Sequence, residues 1–199
     1  MIMNKNVLLL ILLCISGSAL GGPLAHEKIT VFYFKSDTDS IDLHGLAIEG
    51  QKQVAPNFLL GGAVARMQDK SGVPSGYSIN GTLLRLNLLG LAKISNETEI
   101  TGGLRVDKIR VDLKAPSGSD TEKETFKDIV IIFLFAPAPA FEFDAEVARD
   151  LDEDENETTF TLNGHIFIDE KIAFGFGYAW DTSDSGYKET QVTFRYDFL

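Results

Sequence analysis

The chain has 199 residues, a single cysteine (Cys14) and a formal net charge of −11. That surplus of carboxylates argues against a nucleic-acid partner, whose phosphates call for Lys and Arg, and one cysteine leaves no intrachain disulfide to staple the fold. Mean hydropathy is +0.03 and no apolar run of ~18 residues follows residue 25, which excludes transmembrane helices but not membrane strands, whose two faces average to neutral hydropathy.

Taken in chain order, Lys5 followed by the apolar run Val7 to Ile15 and the small residues Ser16 to Gly22 has the layout of a secretory signal peptide. A nine-residue helix rises only ~14 Å, too little for a bilayer core of roughly 30 Å. Residues 1–25 are therefore expected to be removed, with cleavage between Ala19 and Ala25, leaving about 175 residues for one domain. Leu13 precedes Cys14, whereas lipid modification calls for a small residue there. Once Lys5 and Cys14 leave, the chain carries −12 and no cysteine.

Strand-like segments follow, separated by polar breaks. The first are Lys28 to Lys35, Ile41 to Gly50, Asn57 to Gln68 and Tyr77 to Ala92, with turns at Gln53 to Pro56 and Ser95-Asn96. Glu97 to Leu113 is a further strand whose apolar parity changes, from Leu104 and Val106 to Ile109 and Val111, and a bulge near Asp107-Lys108 would account for it. Ala115 to Thr125 reads as a polar loop. Phe126 to Ala136 is apolar on both faces and leads into a turn at Ala136 to Pro139.

The clearest alternation occupies the last sixty or so residues. Phe141, Phe143, Ala145 and Val147 are interleaved with Glu142, Asp144 and Glu146; Phe160, Leu162, Gly164, Ile166 and Ile168 with Thr161, Asn163 and His165. A turn at Asp169-Glu170 leads to Ile172, Phe174, Phe176, Tyr178 and Trp180, separated by Gly and Ala; Val192, Phe194, Tyr196 and Phe198 alternate with Gln191, Thr193, Arg195 and Asp197. Period two marks strands with one apolar and one polar face. The apolar face is bulky and aromatic, while the other mixes Gly and Ala with charged residues. That combination suits a narrow barrel with a polar lumen, where Gly175 or Gly177 would leave room for Arg195. The expected fold is all-β: a closed antiparallel up-and-down transmembrane β-barrel of about ten strands, eight being an alternative. Short breaks near 52–56, 93–97, 136–139 and 169–170 alternate with breaks near 36–40, 69–76, 114–125, 150–157 and 181–187, as an even-stranded barrel requires.

On this basis Glu142, Asp144, Glu146, His165, Arg195 and Asp197 are expected to face the lumen. Phe174, Phe176, Tyr178, Trp180, Phe194, Tyr196 and Phe198 are expected to face lipid, with Tyr178 and Trp180 at the interfacial girdle. The lumen charges would either lock the register as an ion-paired plug or line a path for small cations, and a barrel this narrow favours the plug. Neither His44 nor His165 has a nucleophile near it in the sequence, so no catalytic set is expected, and no cofactor or metal. Asp150, Asp152 and Asp154 have calcium-loop spacing, but Glu155 stands where glycine and Thr161 where glutamate are required, and a solvated acidic loop fits better. The glycosylation sequons at Asn80, Asn96 and Asn156 have no meaning in a bacterial exporter.

Gly45 to Arg66, Leu162 to Trp180 and the terminal VTFRYDFL resemble, in pattern and turn style, the small bacterial outer-membrane β-barrels of the OmpA-transmembrane-domain-like and porin-like kind. The resemblance implies an outer-membrane location and contact with membrane lipid and lipopolysaccharide. It also implies handling by the barrel-assembly machinery through a C-terminal strand with aromatics at alternate positions; Leu199 stands one residue past the expected aromatic end. A non-enzymatic structural or adhesive barrel, with or without a narrow pore, is the expected function. The alternative is a soluble periplasmic lipocalin-like barrel, which would turn Phe174, Phe176, Phe194 and Phe198 inward onto an apolar ligand.

Overall fold

Period-two alternation becomes ten consecutive antiparallel strands in the computed structural model, which describes residues 26–37, 42–71, 73–151, 157–182 and 186–198. They are β1 (Lys28–Asp37), β2 (Asp42–Ala55), β3 (Phe58–Ser71), β4 (Ser78–Lys93), β5 (Thr98–Ala115), β6 (Gly118–Ala138), β7 (Phe141–Asp150), β8 (Thr158–Phe167), β9 (Ile172–Asp181) and β10 (Lys188–Asp197). Each strand pairs with its neighbours in sequence, and β1 pairs with β10 from Lys28↔Asp197 to Asp37↔Lys188, so the sheet closes. Closure leaves no sheet edge along the body of the barrel. The expected ten-stranded up-and-down barrel is the observed fold; the eight-stranded alternative is not. The expected signal peptide lies outside the described residues.

One end, the turn end, carries the short connections at 56–57, 94–97, 139–140 and 168–171. At 168–171 the Asp169 carboxylate accepts from the backbone N–H groups of Lys171 and Ile172, both at 2.7 Å, which fixes the turn. At the loop end the strands are unequal in length. β7 to β10 and β1 have 10 residues each, whereas β5 has 18 and β6 has 21. At ~3.4 Å per residue and a tilt of 35–45°, the β5–β6 hairpin rises roughly 20 Å beyond the short wall.

Three sequence expectations are corrected here. The stretch Ala115 to Thr125 is not a loop: β5 and β6 stay paired to Ala115↔Gly118 around a turn at Pro116-Ser117, and Gly118 has a φ of 147° that favours glycine. The turn at the other end of β6 is Pro139-Ala140; Pro137 belongs to the strand, at an irregularity between Phe135 and Ala138 where its missing N–H is tolerated. Finally, no bulge exists near Asp107-Lys108. The pairing of β5 with β4 and with β6 runs through these residues without a shift. Leu104 (54% exposed) and Val106 face outward while Ile109 and Val111 (both 0%) face inward: the strand keeps its parity and the apolar residues change sides.

That change extends across the long wall. Toward the turn end, outward positions carry Leu84, Leu86, Leu88, Leu104, Val106, Ile129, Ile131 and Phe133, while Arg85, Asn87, Arg105 and Asp107 are buried inside. Toward the loop end, Thr82, Lys108, Arg110, Asp112 and Lys127 face out, and the interior holds an apolar cluster that includes Phe34, Leu43, Met67, Leu83, Ile109, Val111 and Phe126. The lower storey has an apolar exterior, and its interior sets these polar residues beside a second apolar cluster of Leu59, Leu89, Val130, Ile132, Leu134 and Ala148. The upper storey is built like a water-soluble barrel.

Candidate functional site

Among the described residues, most of the charged side chains that the fold takes out of water gather in the lower lumen. All six expected lumen residues, Glu142, Asp144, Glu146, His165, Arg195 and Asp197, are buried there. On β10, Arg195 grips Asp197 two residues on, Nε to Oδ1 at 2.6 Å and Nη2 to Oδ2 at 2.8 Å. It also reaches across two strands to Glu142 of β7 at 2.9 Å, and its guanidinium lies 5.2 Å from the centroid of the Phe167 ring. Asp144 accepts from the Asn163 amide at 2.7 Å, and the Asn163 carbonyl accepts from Gln191. Glu146 meets Arg105, which reaches over β6 from β5 with contacts of 2.8 and 2.9 Å.

The small residues of β9 make room for this packing, but not as expected. Arg195 sits opposite Ala173, not beside a glycine. A Cβ on Gly175 would collide with Thr193 and His165, and one on Gly177 with Asn163 and Gln191, so these glycines accommodate the polar rows of β8 and β10.

Several lumen groups were not singled out from the sequence. Arg85 and Asp107 stand opposite each other in the β4–β5 register and form a pair at 2.6 Å. Arg105, Asn87, Lys28, Glu49 and Glu189 are buried as well. The signal for Arg85 and Asn87 was present, since they alternate with Leu84, Leu86 and Leu88; that for Arg105 and Asp107 was hidden by the supposed bulge. Among the described residues, eight buried carboxylates (Glu49, Glu99, Asp107, Glu142, Asp144, Glu146, Glu189, Asp197) face four buried cations (Lys28, Arg85, Arg105, Arg195). The interior is therefore acidic on balance.

Outside, the aromatic residues form a belt. Phe174, Phe176, Tyr178, Phe194, Tyr196 and Phe198 are exposed. Trp180 also faces outward, partly covered by stacking between Phe160 at 5.5 Å and Tyr178 at 5.8 Å. Phe174 and Phe194 meet edge to face at 5.4 Å. Their outward direction removes the surface that an apolar-ligand barrel would need, and the apolar part of the lumen is filled by its own side chains. The acidic calcium-like loop lies for the most part outside the described residues.

The sequence matches no protein-family model and no curated protein. Solved structures do match. An outer-membrane channel from Pseudomonas putida F1 aligns with a TM-score of 0.54 at 10% identity, over 92% of this chain and 100% of that one. The translocator domain of the autotransporter NalP from Neisseria meningitidis aligns with a TM-score of 0.53 at 12% identity, over 98% of this chain and 94% of that one. The chain has the outer-membrane β-barrel fold. At this level of identity the likeness concerns backbone architecture, and the lumen contacts above are this barrel's own.

Proposed function

We propose that this protein is a non-enzymatic outer-membrane barrel with a shut lumen, which holds the β4–β6 wall above the membrane surface as a structural or adhesive element. The observation that carries this reading is the two-storey inversion of polarity. The outward belt runs from Ile129 to Phe135 on β6 and from Ile172 to Trp180 on β9, broken by Gly and Ala and, along its loop-end margin, by Arg149, Lys188 and Thr190. It is roughly 20 Å tall at the tilt of such barrels, close to the apolar band of an outer-membrane protein. In water so large a belt would drive aggregation; against acyl chains it is the stable surface. Above it, Lys108, Arg110, Asp112 and Lys127 occupy the outward positions, where lipopolysaccharide headgroups and water would lie.

Side chains support a shut lumen at two levels. The ion pairs of Arg85, Arg105 and Arg195 span the lower storey, and the cluster around Phe34, Leu43, Met67 and Ile109 fills the upper one. The C-terminal row Val192, Phe194, Tyr196 and Phe198 faces outward, available to the assembly machinery as the strand is delivered to the membrane. The full chain in detergent is expected to run as a compact band unheated and a slower one after boiling, and to produce no steady conductance steps in planar bilayers. A protein soluble without detergent would overturn the membrane reading, and ohmic single-channel steps would overturn the shut lumen.

A further inference from the structure

We propose that Glu142, Asp144 and His165 form a binding site for one divalent first-row transition-metal ion in the lower lumen. The sequence suggested no metal; the pairing of β7 with β8 brings the three residues together. Glu142 and Asp144 are successive inward residues of β7, and His165 of β8 stands directly opposite Glu142. One ligand atom from each lies within 4.8 Å of the others, and all three residues are at most 3% exposed.

What points to an ion is the state of the donor atoms. Each carboxylate has one oxygen fixed by a neighbour: Glu142 Oε1 by Arg195 at 2.9 Å, and Asp144 Oδ1 by Asn163 at 2.7 Å. The other oxygens, Glu142 Oε2 and Asp144 Oδ2, have no hydrogen-bond partner, and neither ring nitrogen of the fully enclosed His165 has one. The His165 Nδ1 is 3.9 Å from Asp144 Oδ2. Three electron-pair donors thus lie close together in a buried interior, held from behind by Arg195 and the Asn163–Gln191 chain. Such an outer shell orients metal ligands in many sites. The alternative counter-charge, the ammonium of Lys28, interacts with these carboxylates through space but donates a hydrogen bond to none of them.

Ligand chemistry narrows the ion. One imidazole with two carboxylates suits zinc and its first-row neighbours; calcium and magnesium prefer oxygen alone. Ligands about 2.0 Å from a tetrahedral zinc ion lie roughly 3.3 Å apart, so the three side chains would draw in by about 1 Å, within the reach of small χ rotations. The remaining position would fall to water. Around the site three carboxyl groups (Glu142, Asp144, Asp197) stand with two basic side chains (Arg195, Lys28), all of them buried.

The test uses the full chain folded in detergent with zinc sulfate, washed with a mild chelator and analysed by mass spectrometry for metal. About one zinc per chain is expected, with a higher melting temperature than the metal-free protein. His165→Ala and Asp144→Asn should keep the compact unheated band yet retain less than a tenth of the zinc, whereas Asp154→Asn in the acidic loop should retain all of it. Zinc-edge X-ray absorption on the unaltered chain, which needs no variant to fold, should show an N/O shell containing one imidazole. A wild-type barrel that holds no zinc, a His165→Ala barrel that holds as much as wild type, or an absorption spectrum without imidazole would overturn the proposal. None of these outcomes depends on whether the barrel conducts or on what its outer wall contacts.

Discussion

The two storeys of the long wall obey opposite rules with the same strands. In the lower storey β5 puts Leu104 and Val106 outside and buries Arg105 and Asp107; in the upper storey it puts Lys108, Arg110 and Asp112 outside and buries Ile109 and Val111. Backbone pairing is unbroken between them. A sheet is indifferent to which of its faces is apolar, because its hydrogen bonds lie in the sheet plane; the surroundings decide. Lipid outside makes a polar lumen tolerable, provided that each ion finds a partner, while water outside calls for the ordinary apolar core. On the membrane reading proposed above, the level between Val106 and Lys108 is where hydrocarbon gives way to water.

Breaking an ion pair of the lower storey should have the largest effect. Arg105→Ala strands Glu146 in the lumen and removes the link from β5 to β7, and a loss of about 3–5 kcal/mol is expected from urea unfolding in micelles. Replacing both partners, as in Arg105→Met with Glu146→Leu, should recover most of that loss. The upper storey should respond as a soluble core does: Ile109→Ala is expected to cost about 2–5 kcal/mol through the cavity it leaves. Leu104→Arg, on the lower exterior, should cost about 2–4 kcal/mol by placing a cation against acyl chains. Arg110→Leu, six residues along the same outward row, should stay within about 0.5 kcal/mol.

The smallest effect concerns the hairpin above the belt. A hydrogen bond from Thr121 at 2.6 Å, together with Arg110, holds the exposed Asp112 carboxyl below its ordinary value of 3.8. A carboxyl depressed in the folded state stabilises above its unfolded pKa and loses that contribution as pH falls through the folded one. Amide exchange along the β5–β6 hairpin tip, corrected for the intrinsic rate, should therefore quicken below about pH 4 while the β7–β10 wall is unchanged, and Asp112→Asn should weaken this pH dependence.

How much of this was legible in the sequence depended on whether polarity stayed constant along a strand. In β7 to β10 it does over most of each strand: Phe174, Phe176, Tyr178 and Phe194 mark one face, with polar outward residues such as Arg149, Lys188 and Thr190 only at the loop end, so strand type, parity and the inward direction of Glu142, Asp144, His165 and Arg195 could all be read. In β5 the polarity reverses midway, and a reversal of polarity has the same one-dimensional signature as a one-residue slip. For the same reason Lys, Glu and Thr at 119–125 suggested a loop where β6 continues as a strand with water on its outer face. The pairings of Arg105 with Glu146 and of Arg195 with Glu142 span 41 and 53 residues and reach over one and two intervening strands, so they exist only once those strands have paired. No local pattern announces them.

The inversion itself can be measured along one outward row. With Cys14, the single cysteine, replaced by serine, Leu104→Cys, Val106→Cys, Lys108→Cys and Arg110→Cys can each carry a nitroxide in a barrel reconstituted into bilayers. Collisions with oxygen should dominate at 104 and 106 and collisions with a water-soluble nickel chelate at 108 and 110, with the crossover between Val106 and Lys108. Equal nickel access at all four positions would contradict the account.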